Sequence, residues 1–76
     1  MDGLLAKKQI EVGKAVKLIE KMEKHARDTE LFRARMYLLA IQALPTDNEY
    51  VFNRKLNQAY DGYEMKELVI KYGGNE

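Results

Sequence analysis

The segment LFRARMYLLAIQAL, Leu31 to Leu44, limits what this chain can fold into more than any other. Eleven of its fourteen residues are apolar; only Arg33, Arg35 and Gln42 are polar. A helix that is apolar nearly all round is a buried helix. On a helical wheel Leu31, Ala34, Leu38 and Ile41 make one strip, and Phe32, Met36, Leu39 and Ala43 make a second, roughly opposite. The chain has 76 residues with which to cover both. Any strip it leaves bare belongs to a partner or to a second copy. The segment is also too short for a bilayer, which needs about 20 apolar residues, and it carries two arginines.

The rest of the chain reads as helices around this one. Leu4 to Arg27 repeats Leu5, Val12, Ile19 and Ala26 every seven residues, with Ala15, Val16 and Met22 beside them. Gly13 weakens that helix by about 1 kcal/mol relative to Ala. Leu18 and Ile10 fall off the stripe. Asp28-Thr29-Glu30 is the expected break, with Thr29 able to cap and Glu30 suited to a helix N-terminus. One unbroken helix from 4 to 44 is the alternative, and it places Glu23 and Glu30 in the apolar seam.

The second helix is expected from Glu30 to Leu44, stopping before Pro45. Thr46 to Glu49 has the spacing of a capping box. A third helix then runs to about Tyr60, with Phe52, Leu56, Ala59 and Tyr60 inward. Asp61-Gly62 ends it, and Asp61 with Glu64 makes a second possible box. The fourth helix, about Tyr63 to Tyr72, turns Met65, Leu68, Val69 and Tyr72 to one side and stops at Gly73. The fold class expected is therefore all-α: a compact bundle of three to four helices, a long helical hairpin plus two short C-terminal helices. Residues 1–76 form a single helical domain.

Composition narrows function mainly by exclusion. There is no Cys and no Ser, so a Cys or Ser nucleophile paired with a His is ruled out. The single histidine, His25, has only Asp28 nearby, and zinc needs three or four ligands. Gly73-Gly74 lacks the Lys-Ser/Thr pair of a phosphate loop. No catalytic residue, metal or cofactor is expected. The first residues, MDGLLAKKQIEV, reverse the charge order of a signal peptide. The reading is a soluble, cytoplasmic protein with no membrane contact.

Two surfaces remain. Lys7, Lys14, Lys17, Lys21 and Lys24 line one face of the first helix, a basic stripe that could follow a phosphate backbone or an acidic protein. The outward face of the third helix carries Tyr50, Val51, Arg54, Asn57 and Gln58, with Asn53 at its edge. Tyr and Arg are what protein interfaces concentrate. Arg, Asn and Gln also read base edges in the major groove.

Leu38 to Lys71, LLAIQALPTDNEYVFNRKLNQAYDGYEMKELVIK, resembles the seam of a tetratricopeptide repeat through its AI…LP.DN, AY and GYE elements. The resemblance implies a helix-turn-helix packing habit and peptide or protein binding. The step from Ala59-Tyr60 to Gly62-Tyr63-Glu64 is shorter than that family's turn, and no second copy follows at the 34-residue period.

The function expected is a non-enzymatic protein-interaction module: a small regulator, inhibitor or adaptor that occludes another protein. Small accessory proteins of phages and mobile elements often have this look. One alternative is a helix-turn-helix DNA-binding regulator that reads nucleic acid with the third helix. Another is a structural subunit of a larger helical assembly. Self-association, as a homodimer, fits the surplus apolar surface of the second helix.

Overall fold

The computed structural model describes residues 3–73. Helix α1 spans Gly3–Met22, α2 Asp28–Gln42, α3 Glu49–Gly62 and α4 Met65–Leu68, and a π-helical turn continues over Val69–Gly73. There is no strand among the described residues, and the fold is the all-α bundle that the periodicity predicts. Helices α1 and α2 form an antiparallel hairpin. Helix α3, α4 and the π turn pack across one side of it.

The hairpin bends earlier than expected. Helix α1 stops at Met22, not Arg27, and residues 23–25 turn. The amides of His25 and Ala26 both close on the Met22 carbonyl, at 3.0 and 2.6 Å. Asp28 and Thr29 are the first residues of α2 rather than a break, and Thr29 does not cap. The cap is the Glu30 carboxylate, which reaches back to accept the Arg27 amide at 3.1 Å. That supplies an acceptor to one of the orphan donors at a helix start.

The face of α1 that enters the core is also rotated from the expected stripe. Ala15, Leu18, Ile19 and Met22 are buried, whereas Leu5 and Val16 are exposed. Leu18 is thus a core residue and not an outlier. The physical reason is a third layer. The C-terminal turn packs on the Leu18 and Lys21 side of α1 and draws that row inward, with Lys21 Nζ donating to the Gly73 carbonyl at 3.2 Å.

In α2 the strip of Leu31, Ala34 and Ile41 is buried, with Leu38 half-buried beside it. Tyr37 joins this inner side and meets the Tyr60 ring edge-on, centroids 6.0 Å apart. The core is completed by Leu44, Phe52, Met65 and Leu68. The second strip stays outside: Phe32 is 66% exposed and Leu39 58%. Helix α2 is central on one side only.

Helix α3 is capped by Asn48, not by Thr46. The Asn48 side chain accepts the Val51 amide at 3.1 Å, and its backbone is extended. An amide side chain one residue before the helix does what the TDNE spacing assigned to the Thr46 hydroxyl. The helix runs through Gly62, beyond the expected end at Tyr60. The reversal falls at Tyr63-Glu64, where Glu64 takes a left-handed backbone (φ 52°), so Asp61 and Glu64 do not form a box. The fourth helix is one α turn, not ten residues, and it widens into the π turn.

That widening has a purpose in packing. It turns two successive side chains, Lys71 and Tyr72, toward one carboxylate. Lys71 Nζ lies 2.9 Å from Glu30, and the Tyr72 hydroxyl donates to Glu30 at 2.6 Å. The Tyr72 hydroxyl is therefore a donor in a latch. The Tyr72 hydrogen bond, then Lys71, then the Arg27 amide lower the Glu30 pKa from 4.5 to about 2.

Two outcomes are expected. Asn48→Ala lowers stability by about 1 kcal/mol in chemical unfolding, while Thr46→Ala changes it by less than about 0.5 kcal/mol; the reverse order restores the Thr46 cap. For Glu30, the folded pKa lies below the unfolded one. Its contribution to stability is complete above about pH 4.5 and is lost as pH falls through about 2. The melting-temperature gap between the wild type and Glu30→Gln is then wide at pH 7 and closes toward pH 2. A gap independent of pH disproves the latch.

Candidate functional site

Helix α3 presents its polar side away from the bundle because Phe52 anchors the other side. Phe52 is fully buried, with Leu56, Ala59 and Tyr60 half-buried along its face. The outer positions then follow from the helical period. Tyr50 is 73% exposed. The Arg54 guanidinium lies over its ring, 5.8 Å from the centroid. Residues 50 and 54 are one turn apart, so the pair forms from helix geometry alone. Asn57 and Gln58 are exposed on the following turn, and Val51 is half-buried at the margin. Four of the five residues expected at this surface are thus open. Asn53 is committed to the fold, since its side-chain oxygen accepts from Lys7 Nζ at 2.6 Å.

The lysine stripe is less available than the sequence suggests. Lys7 leaves the stripe for α3: besides Asn53, it lies 5.7 Å from the centre of the Phe52 ring. Lys21 holds the Gly73 carbonyl. Lys14 sits 3.7 Å from Glu11. Lys17 and Lys24 are exposed on the remaining part of the face. The stripe borders the third layer rather than standing opposite the core.

Between α1 and the C-terminal turn lies an open cavity of about 510 Å³, with Leu18, Met65 and Val69 among its apolar lining and Lys14 and Lys17 among its polar lining. Tyr37 and Tyr60 also face it. Burial, followed by the charge of Glu11, pushes the Tyr37 hydroxyl up to about 12. The phenol stays neutral at any physiological pH, which makes it a hydrogen-bonding group and not a base.

His25 is exposed in the hairpin turn. Among the described residues no three His, Asp or Glu side chains gather as metal ligands. Glu23, which the sequence places in the apolar seam, is exposed and pairs with Arg35 at 3.2 Å. Arg33 turns the opposite way, to Glu67 at 2.8 Å and Glu64 at 3.7 Å. No helix is long and apolar enough to cross a membrane among the described residues.

Sequence reasoning missed the Glu30 latch. Its signal is weak, since Lys71 and Tyr72 lie 41 and 42 residues from Glu30. The bare strip of Phe32 and Leu39, by contrast, was visible as the second apolar strip of α2.

Comparison with known proteins finds no matching family model, no matching curated protein and no matching solved structure. The tetratricopeptide resemblance of residues 38–71 accordingly has no family match behind it.

Proposed function

We propose that this chain is a non-enzymatic interaction module that binds another protein and occludes its surface, acting in the cytoplasm as a small regulator or inhibitor. The observation that carries this reading is the Tyr50–Arg54 pair on the open side of α3. Tyr and Arg are the side chains that most often anchor protein interfaces. Stacked on each other before binding, they have less rotamer freedom to lose when a partner closes over them. Asn57 and Gln58 supply hydrogen bonds beside them, and the polar character of this face suits an interface that forms and dissolves.

A DNA-binding reading is the second. It is favoured by Arg54, Asn57 and Gln58 standing open on one helix. Weighing against it, the connection between α2 and α3 spans residues 43–48, longer than the three or four residues of the DNA-binding turn. Lys7 and Lys21, which would clamp phosphates, are engaged within the fold.

The test is affinity capture from the source cell's lysate on the full chain, with and without nuclease. A protein retained in both arms, whose affinity falls about 100-fold in Tyr50→Ala with Arg54→Ala, supports the module. Both positions are at the surface, so stability should change by less than about 0.5 kcal/mol for each. Affinity unaltered in the double variant removes this face from the proposal. Retention that vanishes with nuclease, and that falls steeply with salt, transfers it to nucleic acid.

A further inference from the structure

The hairpin has two broad sides, and the chain covers one. On that side Lys7 and Lys21 of α1 reach α3 and the C-terminal turn, and Tyr37 of α2 meets Tyr60. On the opposite side of α1, Leu5, Val12 and Val16 follow one another at spacings of seven and four, and Glu23 continues the row seven residues on. On α2 Phe32 and Leu39 flank Arg35, at spacings of three and four. The Glu23–Arg35 ion pair, at 3.2 Å, therefore shows that these two rows open on the same side. This side is bare and apolar: Phe32 is 66% exposed, Leu39 58%, Leu5 46% and Val16 38%. Met36 is half-buried among them, whereas Val12 and Leu38, also half-buried, pack against the core.

We infer that this face is covered by a second copy of the chain, in a two-fold dimer whose two hairpins stack as a four-helix layer pair. Three features select a copy as the occupant. The first is self-complementarity. Phe32 and Leu39 lie equally far on either side of the point between Arg35 and Met36. A two-fold axis through that point, crossing α2 antiparallel to its copy, sets each Phe32 against the partner's Leu39. Helix α1 ends at Met22 and α2 begins at Asp28, so six residues from each end Val16 comes about level with Ala34, within about 3 Å of that point along the helix. Val16 thus stands close to the same axis and faces its own counterpart.

The second feature is charge. Arg35 stands beside the axis and faces its own counterpart, but each guanidinium is already paired with Glu23 of its own chain, so the two faces carry no net charge there. Glu20 stands at the rim, four residues past Val16, and the antiparallel relation carries it about 12 Å along the helix from its counterpart. The third is area. Two adjacent helices about 10 Å wide, of 20 and 15 residues and so about 30 and 22 Å long, present about 520 Å². Two copies bury about 1,050 Å², in the range of weak, reversible interfaces, and this predicts a dimer that forms only at micromolar concentration and above.

This inference is independent of the α3 reading, because the two faces share no residue. Sedimentation equilibrium from low micromolar to about 0.5 mM should show the mass rising from 8.9 kDa toward twice that value. Phe32→Ser with Leu39→Ser should weaken association at least about 100-fold while helicity and the melt of the monomer are retained. Tyr50→Ala with Arg54→Ala should leave association untouched. The chain has no cysteine, so a single introduced thiol reports geometry. Under mild oxidation Val16→Cys should cross-link through its counterpart, since a disulfide needs Cα atoms within about 7 Å, and the exposed control Ile10→Cys should not. A chain that stays monomeric at 0.5 mM overturns the inference and hands the face to a different protein. A dimer that survives the Phe32 and Leu39 substitutions, or that cross-links at Ile10→Cys and not at Val16→Cys, also overturns it.

Discussion

One carboxylate fastens three parts of this molecule. Glu30 accepts the Arg27 amide that starts α2, the ammonium of Lys71 and the hydroxyl of Tyr72. A cap is usually a local device. Here the same oxygens also tie down the segment 71–72, and the last described turn is thereby pinned to the first turn of the central helix. The π geometry over Val69–Gly73 follows from this demand, because it brings two adjacent side chains to a single acceptor. Arg33, one turn further along α2, repeats the arrangement with Glu67 and Glu64. Exposed ion pairs contribute little singly. In this chain they set register, holding a short segment that packs only Met65 and Leu68 fully into the core.

Size explains the rest of the architecture. A chain this short buries only about 60% of its unfolded surface. It has enough residues for a hairpin and one covering layer, not for two. The covering layer went to the side where Tyr37, Phe52, Met65 and Leu68 interlock. The opposite side kept Phe32 and Leu39 in solvent. The polar side of α3 is a separate surface, built on a buried Phe52 and carrying the stacked Tyr50 and Arg54.

Much of this was legible in the residues, and the errors have physical causes. Periodicity located all four helices, and α2 stops short of Pro45 as expected, two residues earlier than Leu44. Helix ends were misread where capping depended on reach. Asn48 caps from immediately before α3, and Glu30 caps from within the first turn of α2, whereas the eye goes to Thr46 and Thr29. The inward row of α1 was misjudged by part of a turn, since Ala15 and Leu18 are chosen by a layer that arrives fifty residues later. The exposed state of Arg54, Asn57 and Gln58 followed from the wheel. The withdrawal of Lys7 from the basic stripe did not, because Asn53, which it contacts, is 46 residues away.

The reversal at Tyr63-Glu64 is the one connection between α3 and the final nine described residues, and it holds a non-glycine residue in a left-handed conformation at a cost of about 1 kcal/mol or more. Met65 and Leu68, the Glu30 and Arg33 contacts and the hold of Lys21 on the Gly73 carbonyl oppose that strain. The segment from Met65 to Gly73, short and joined to α3 through that one strained residue, is the part expected to open first. In amide-exchange terms it should form the least protected helical block of the molecule. Each such opening would bare the Leu18 and Tyr37 side of the core to solvent and to proteases.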